Sequence, residues 1–198
     1  VDYAVDAMNR GIHVMTEVPA AYSIKQCWDL VNTVKKTGAK YQLAEQTRYW
    51  HFFSEWRRMA REGEFGKIIY AEGQYLHYEP VWDSFVERKT YHRIRSKDPC
   101  LYNDPELLPS WRGRLMRSPI LYLPHTLSPL LSVTGGRISK VACFGTRPMS
   151  YSMEGMYARD LQHAIMYNTE DILFSVRTGF TSPHSQNNIC GAHWYQVK

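Results

Sequence analysis

The sequence predicts an α/β protein: a short parallel βα stretch, then an α+β part built on a large, mostly antiparallel open sheet. Three observations predict it. Up to residue 62 the hydrophobic pattern runs helix, strand, helix, strand, helix, an order that implies parallel strands joined by helical crossovers. After Gly66 the texture changes to long, aromatic, alternating segments, as in antiparallel strands with one solvated face. The 198 residues are 44% apolar and 14% aromatic, enough to bury a core.

Residues 1–10 read as a helix with Val5 and Met8 on one face, stopped by Gly11. Residues 12–17 read as a buried strand that Pro19 ends, since proline cannot continue a central ladder. Ser23 and Gln26 form a capping box, followed by Ile24, Cys27, Trp28, Val31 and Val34 at helical spacing, up to Gly38. Residues 41–45 are a second strand. Residues 51–62 are a helix with Phe52, Phe53, Trp56 and Met59 inward and Arg57, Arg58 and Arg61 on a solvated face. Strands follow at 67–78, 139–146, 171–178 and 188–197. Residues 80–110 form a polar, irregular excursion, and 119–134 contain a short helix around His125 closed by Gly135-Gly136. The change near residues 64–67 marks a boundary between domains at 1–65 and 66–198.

Lys and Arg number 24 against 19 Asp and Glu, a surplus too small to point to nucleic acid. No apolar run reaches the length of a membrane span. Cys27, Cys100, Cys143 and Cys190 lie far apart with no CxxC pair, a pattern that fits free thiols in a reducing cytoplasm. No HxxxH or HExxH occurs, so a metal site is not expected. The first residue is Val1 and the last four, Tyr195 to Lys198, read as part of a strand, so the sequence is expected to be a fragment of a longer chain.

The segment Gly11-Ile12-His13-Val14-Met15-Thr16-Glu17-Val18-Pro19 resembles the G-K-H-V-x-x-E-K-P motif of the glucose–fructose oxidoreductase / inositol dehydrogenase (Gfo/Idh/MocA) family. Glu62-Gly63-Glu64-Phe65-Gly66-Lys67-Ile68 is similar to that family's step into its second domain, and Ala71-Glu72-Gly73-Gln74-Tyr75 to the first strand of that domain. The resemblance implies that residues 1–65 are the C-terminal part of a Rossmann domain and 66–198 a C-terminal substrate and oligomerisation domain. It also implies NAD or NADP as cofactor. No G-x-G-x-x-G occurs in the sequence, so these 198 residues alone are expected to bind NAD weakly or not at all and to be inactive.

In the family the residue between Glu and Pro is typically a lysine; here it is Val18, which cannot move a proton. Together with Cys27-Trp28-Asp29-Leu30-Val31, this is similar to a branch that includes NAD-dependent α-N-acetylgalactosaminidases. The resemblance places Glu17, Pro19, Glu45, Gln46, Trp111 and Arg112 at the cofactor and His125 and Tyr75 at the chemistry. Plainer readings stand beside each: the 17–19 turn as backbone geometry, Glu45 and Gln46 as helix caps, Arg112 as a surface arginine, and His125 as a core or capping histidine. The family's D-x-x-x-H pattern would put a carboxylate at position 121, which is Leu121, leaving Tyr122, Thr126 or another strand to orient the ring.

The activity implied is hydride transfer between a sugar, polyol or related carbinol and a nicotinamide, with His125 as base. Alternatives are an NAD-dependent glycoside hydrolase that oxidises transiently and eliminates, and a non-catalytic binding or assembly relative. Tyr70, Tyr75, Tyr78, Val141, Phe144, Phe174 and Val176 are expected to form an apolar sheet face that joins copies into a homo-oligomer.

Overall fold

A computed structural model describes residues 1–77, 83–95, 100–101, 104–109, 118–151, 159–180 and 193–198. The chain runs α1 (Asp2–Asn9), β1 (Val14–Thr16), α2 (Ile24–Thr37), β2 (Tyr41–Leu43), a 3₁₀ turn (Gln46–Tyr49), α3 (His51–Arg61) and β3 (Tyr70–Leu76). Then come β4 (Asp83–Glu87), β5 (Arg93–Arg95), β6 (Leu107–Pro109), a second 3₁₀ turn (Pro119–Tyr122) and α4 (Pro124–Thr134). Four strands complete it: β7 (Ile138–Gly145), β8 (Leu161–Asn168), β9 (Leu173–Gly179) and β10 (His193–Val197).

β1 and β2 pair in parallel, with Val14 opposite Tyr41. Their small core joins Ala4 and Met8 of α1 to Leu30 of α2 and to Ala39. The Ser23 hydroxyl caps α2 by accepting from the Gln26 amide at 3.2 Å, and the Gln26 side chain accepts from Tyr22 N, one residue before the expected cap. Gly38 ends α2 at φ +71°, a conformation open to glycine without a Cβ penalty. Of the α2 stripe Ile24, Cys27, Trp28, Val31 and Val34, only Val34 packs on this core. Leu30 and Thr33 are buried against α1, whereas Ile24, Trp28 and Val31 are exposed. Periodicity finds an apolar stripe, but contact with α1 selects a neighbouring one displaced around the helix.

The large sheet has the order β10-β3-β9-β8-β7. Three of its four pairings are antiparallel and β3–β9 is parallel, which is the architecture expected. α4 covers one face, where Leu130 meets Ala71, Ala164, Met166, Ile172, Phe174 and Val176. Gly73 permits this close approach. A Cβ there would stand 2.5 Å from the Thr126 methyl carbon and 3.0 Å from both the Trp194 carbonyl oxygen and the Tyr195 ring.

This packing corrects the expected association face. Phe174 and Val176 lie under α4 and Tyr75 packs on His125, while Tyr78 falls outside the described residues. In a strand, neighbouring residues point to opposite faces. The uncovered face therefore carries the residues between the buried ones: Leu173, Ile165, Trp194 and, opposite His163, Phe144. It also holds polar contacts, the Tyr70 hydroxyl donating to Glu72 at 2.7 Å and His163 bonding Ser175 at 2.8 Å.

Two further expectations change. The 80–110 excursion contains a three-stranded antiparallel sheet, β5-β4-β6, because Phe85 and Leu107 supply it with a small buried centre. On α3, Phe53 is fully buried but Phe52 is partly exposed, its ring packed against Trp56 and Tyr195. Arg57 is no solvated side chain: its guanidinium donates to the Arg48 carbonyl at 2.7 Å and to the Ser132 hydroxyl at 3.2 Å, tying α3 and the first 3₁₀ turn to α4. Arg58 does lie in the exposed charged cluster, with Glu55, Glu62 and Glu64.

Candidate functional site

The site forms where the carboxyl end of β2 meets the start of α4. Pro124 opens α4 at a position where its missing N–H costs nothing, and places His125 in the first turn. Glu45 follows β2, anchored because Ala44 N donates to the Thr16 carbonyl of the neighbouring strand at 2.8 Å. The two residues meet across the junction, Glu45 4% and His125 9% exposed. Glu45 Oε2 lies 2.8 Å from His125 Nδ1, an ion-pair distance without the full alignment of a hydrogen bond. Neither atom has another hydrogen-bond partner among the described residues.

Thr47 ties this pair down. Its backbone N–H donates to Glu45 Oε1 at 2.9 Å, and its hydroxyl lies 2.6 Å from the same oxygen and 2.7 Å from the His125 carbonyl. The Tyr195 hydroxyl donates to that carbonyl as well, at 2.7 Å. Burial alone would raise the Glu45 carboxyl. The His125 ring and the bonds from Thr47 outweigh it and hold Glu45 below the ordinary carboxylate range.

An aromatic shell surrounds the pair. Tyr75 stacks on the His125 ring with centroids 5.0 Å apart, and on Tyr122 at 5.5 Å. The β3 alternation brings His77 to the same side, 4.3 Å from Tyr75. In register opposite Tyr75, His193 packs on it at 4.7 Å and on Trp50 at 4.9 Å. Burial, with the neighbouring His77 and His125 imidazoles, pushes His193 down to about 4. Burial raises the Tyr195 hydroxyl above the usual tyrosine range.

A pH dependence follows. A histidine with a folded pKa of about 4, against an ordinary 6.5, leaves the unfolded chain binding more protons between those values. Its stabilising share is complete above about pH 6.5 and is lost as pH falls towards 4. The lowered Glu45 carboxyl acts in the same sense further down. Thermal melts from pH 7.5 to 4.5 are expected to fall progressively, and His193→Phe to flatten the upper part of that fall. An unchanged profile in the variant would assign the loss elsewhere.

The structure brings Glu45, His125 and Tyr75 together. Glu17 and Gln46 are exposed at the carboxyl ends of β1 and β2, with Val18 buried between Glu17 and a cis Pro19. Trp111 and Arg112 lie outside the described residues. The sequence reading missed Thr47, Tyr195 and His193. The Tyr195 and His193 signal lay in β10, where they alternate on the face that pairs beside Tyr75. Among the described residues no helix is long and apolar enough to cross a membrane, and Cys27 and Cys143 are free thiols.

No protein-family model matches the chain. Curated relatives match part of it. The α-N-acetylgalactosaminidase of Bacteroides fragilis is 42% identical over 74 residues, 37% of this chain and 17% of that protein. Glycosyl hydrolase family 109 protein 5 of Phocaeicola vulgatus is 38% identical over 80 residues, 40% of this chain and 15% of that protein. The chain thus matches less than a fifth of the length of these relatives. Among solved structures, an NAD binding oxidoreductase from Klebsiella pneumoniae superimposes with a TM-score of 0.71 at 18% identity, covering 99% of this chain and 47% of that one. An oxidoreductase from Agrobacterium radiobacter, in complex with NAD+, L-tartaric acid and magnesium, gives 0.67 at 10% identity, covering 99% and 49%. The chain therefore has the fold of Gfo/Idh/MocA oxidoreductases, and over about two fifths of its length its sequence resembles glycosyl hydrolase family 109.

Proposed function

We propose that the protein oxidises a carbinol of a sugar, polyol or related substrate with NAD or NADP, His125 taking the hydroxyl proton. The observation that carries this reading is the buried Glu45–His125 pair at the carboxyl end of a parallel strand, where ligands bind in open α/β sheets. The residues present fit the nicotinamide side of a dinucleotide: exposed Glu17 and Gln46 and the Pro19 turn offer polar and backbone groups at two adjacent strand ends. They do not fit its pyrophosphate, since the sequence has no glycine-rich phosphate turn. The family resemblance also assigns Trp111 and Arg112 to the cofactor, the guanidinium of Arg112 being a rigid fork of donors. When bound, the nicotinamide supplies the two-electron acceptor.

The chain's own residues do the rest. Val18 offers no proton, so His125 is the base. With Nδ1 turned to Glu45, Nε2 is the nitrogen left for the substrate hydroxyl. Tyr75, stacked on the ring, limits its rotation and excludes water. Residues 1–65 would form the cofactor side and 66–198 the substrate and association side, with the uncovered sheet face joining copies.

A second reading is a glycosidase that oxidises transiently and releases the aglycone before re-reduction. The match to the α-N-acetylgalactosaminidase favours it. Incubation of the full-length protein with NAD+ and either a polyol and sugar panel or an aryl α-N-acetylgalactosaminide separates the two. Net NADH supports the oxidoreductase, and glycoside cleavage without net NADH supports the glycosidase. Neither, with no NAD+ binding by the full-length protein, leaves a non-catalytic relative.

A further inference from the structure

We infer that Glu45, held by Thr47, is a positioning residue that fixes the tautomer and ring orientation of His125. The inference deepens the proposed base role of His125 and rests on it. Position 121, one turn before the histidine, holds leucine, so no carboxylate reaches the ring from its own element. Glu45 arrives from the end of β2 instead, with Oε2 2.8 Å from Nδ1.

The bonds around Thr47 make the arrangement directional. The Thr47 hydroxyl has one proton, and both the Glu45 carboxylate at 2.6 Å and the His125 carbonyl at 2.7 Å lie within its reach. The Tyr195 hydroxyl already donates to that carbonyl. The Thr47 proton therefore stays with the carboxylate, where a charge-assisted bond is the stronger one. Glu45 Oε1 is then satisfied twice, by the Thr47 amide and hydroxyl, leaving Oε2 as the acceptor that faces the ring. An anionic acceptor beside Nδ1 draws the neutral ring's single proton to Nδ1 and leaves the Nε2 lone pair outward. Unconstrained imidazole favours the opposite tautomer, so the protein would invert the solution preference. The His125 backbone is fixed by the same group of residues, so ring and main chain are held together.

Nitrogen chemical shifts of ¹⁵N-histidine-labelled protein test this without any cofactor, with His125→Asn assigning the signal. At a pH where the ring is neutral, His125 is expected to show a protonated Nδ1 and an unprotonated Nε2. Glu45→Leu should move the proton to Nε2, and Thr47→Val, which keeps the carboxylate, should give a mixture. A wild-type His125 protonated at Nε2 overturns the inference even if Glu45→Leu fails to fold. So does a folded Glu45→Leu that keeps the proton on Nδ1. In turnover, Glu45→Leu should lower kcat on the order of 10²-fold or more with KM little changed, the signature of a wrong tautomer. If His125→Asn keeps its turnover, the base reading fails while the shifts still decide the tautomer. If His125→Asn loses turnover and Glu45→Leu does not, the positioning role alone fails.

Discussion

In the full-length protein His125→Asn is expected to lower turnover by roughly 10²–10⁴-fold, the usual worth of a positioned general base. That corresponds to roughly 3–5 kcal/mol of transition-state free energy. Asparagine suits the test because its amide can still donate to Glu45 from near the Nδ1 position, so the buried carboxylate is not left alone. It has nothing to replace Nε2. Cofactor affinity and melting temperature are therefore expected to stay close to wild type. Stopped-flow turnover, NAD+ titration and a thermal melt on one preparation check all three. Retained turnover would make His125 a packing residue. A loss of stability matching the loss of turnover would mean that the substitution broke the junction rather than the chemistry.

Phe174→Ala is expected to cost about 3–5 kcal/mol, the range for removing a fully buried phenylalanine. The side chain is 0% exposed, between Ala71 on β3 and Met166 on β8 and under α4. In a protein of this size that corresponds to a melting temperature roughly 6–20 °C lower. Phe144, grouped with it on sequence grounds, is 73% exposed, and Phe144→Ala should change the melting temperature of dilute protein by little. Its effect is expected instead in light scattering, where loss of an exposed aromatic would weaken the proposed association through the uncovered face. Equal destabilisation by both substitutions would contradict the assignment of the two residues to opposite faces.

The contrast shows how far sequence reasoning reached. The order of the first elements and the sheet type were legible because periodicity and turn residues report them locally, as at Ser23, Gly38 and Gly135, but β8 and the three short strands β4 to β6 were not among the strands expected. The side of the sheet that α4 would cover was not. Alternation separates the two faces of a strand but does not say which one a distant helix selects. The same limit applied at the site. His125, Tyr75 and Glu45 stood out by motif. That Glu45 faces His125 depends on β2 and α4 meeting, and the two residues are 80 positions apart in the sequence. Thr47 and Tyr195 carried no motif, since their role lies in contacts across the fold, Thr47 with the Glu45 carboxylate and Tyr195 with the His125 carbonyl. Arg57 looked like any arginine on a solvated helix face until α4 came within its reach.

Position 73 sets a clearance. The methyl group of Thr126 rests where any side chain at 73 would have to go, and Thr126 follows the histidine directly. The height of His125 above the sheet, and hence its distance from Glu45, is thus governed by the absence of atoms at a residue that takes no part in the chemistry. Enlarging that residue by one carbon would lift the front of α4 and open the carboxylate–imidazole gap, with every reacting group still present. Activity in this architecture can therefore be adjusted from beneath the site, at a position that no inspection of the reacting groups would select.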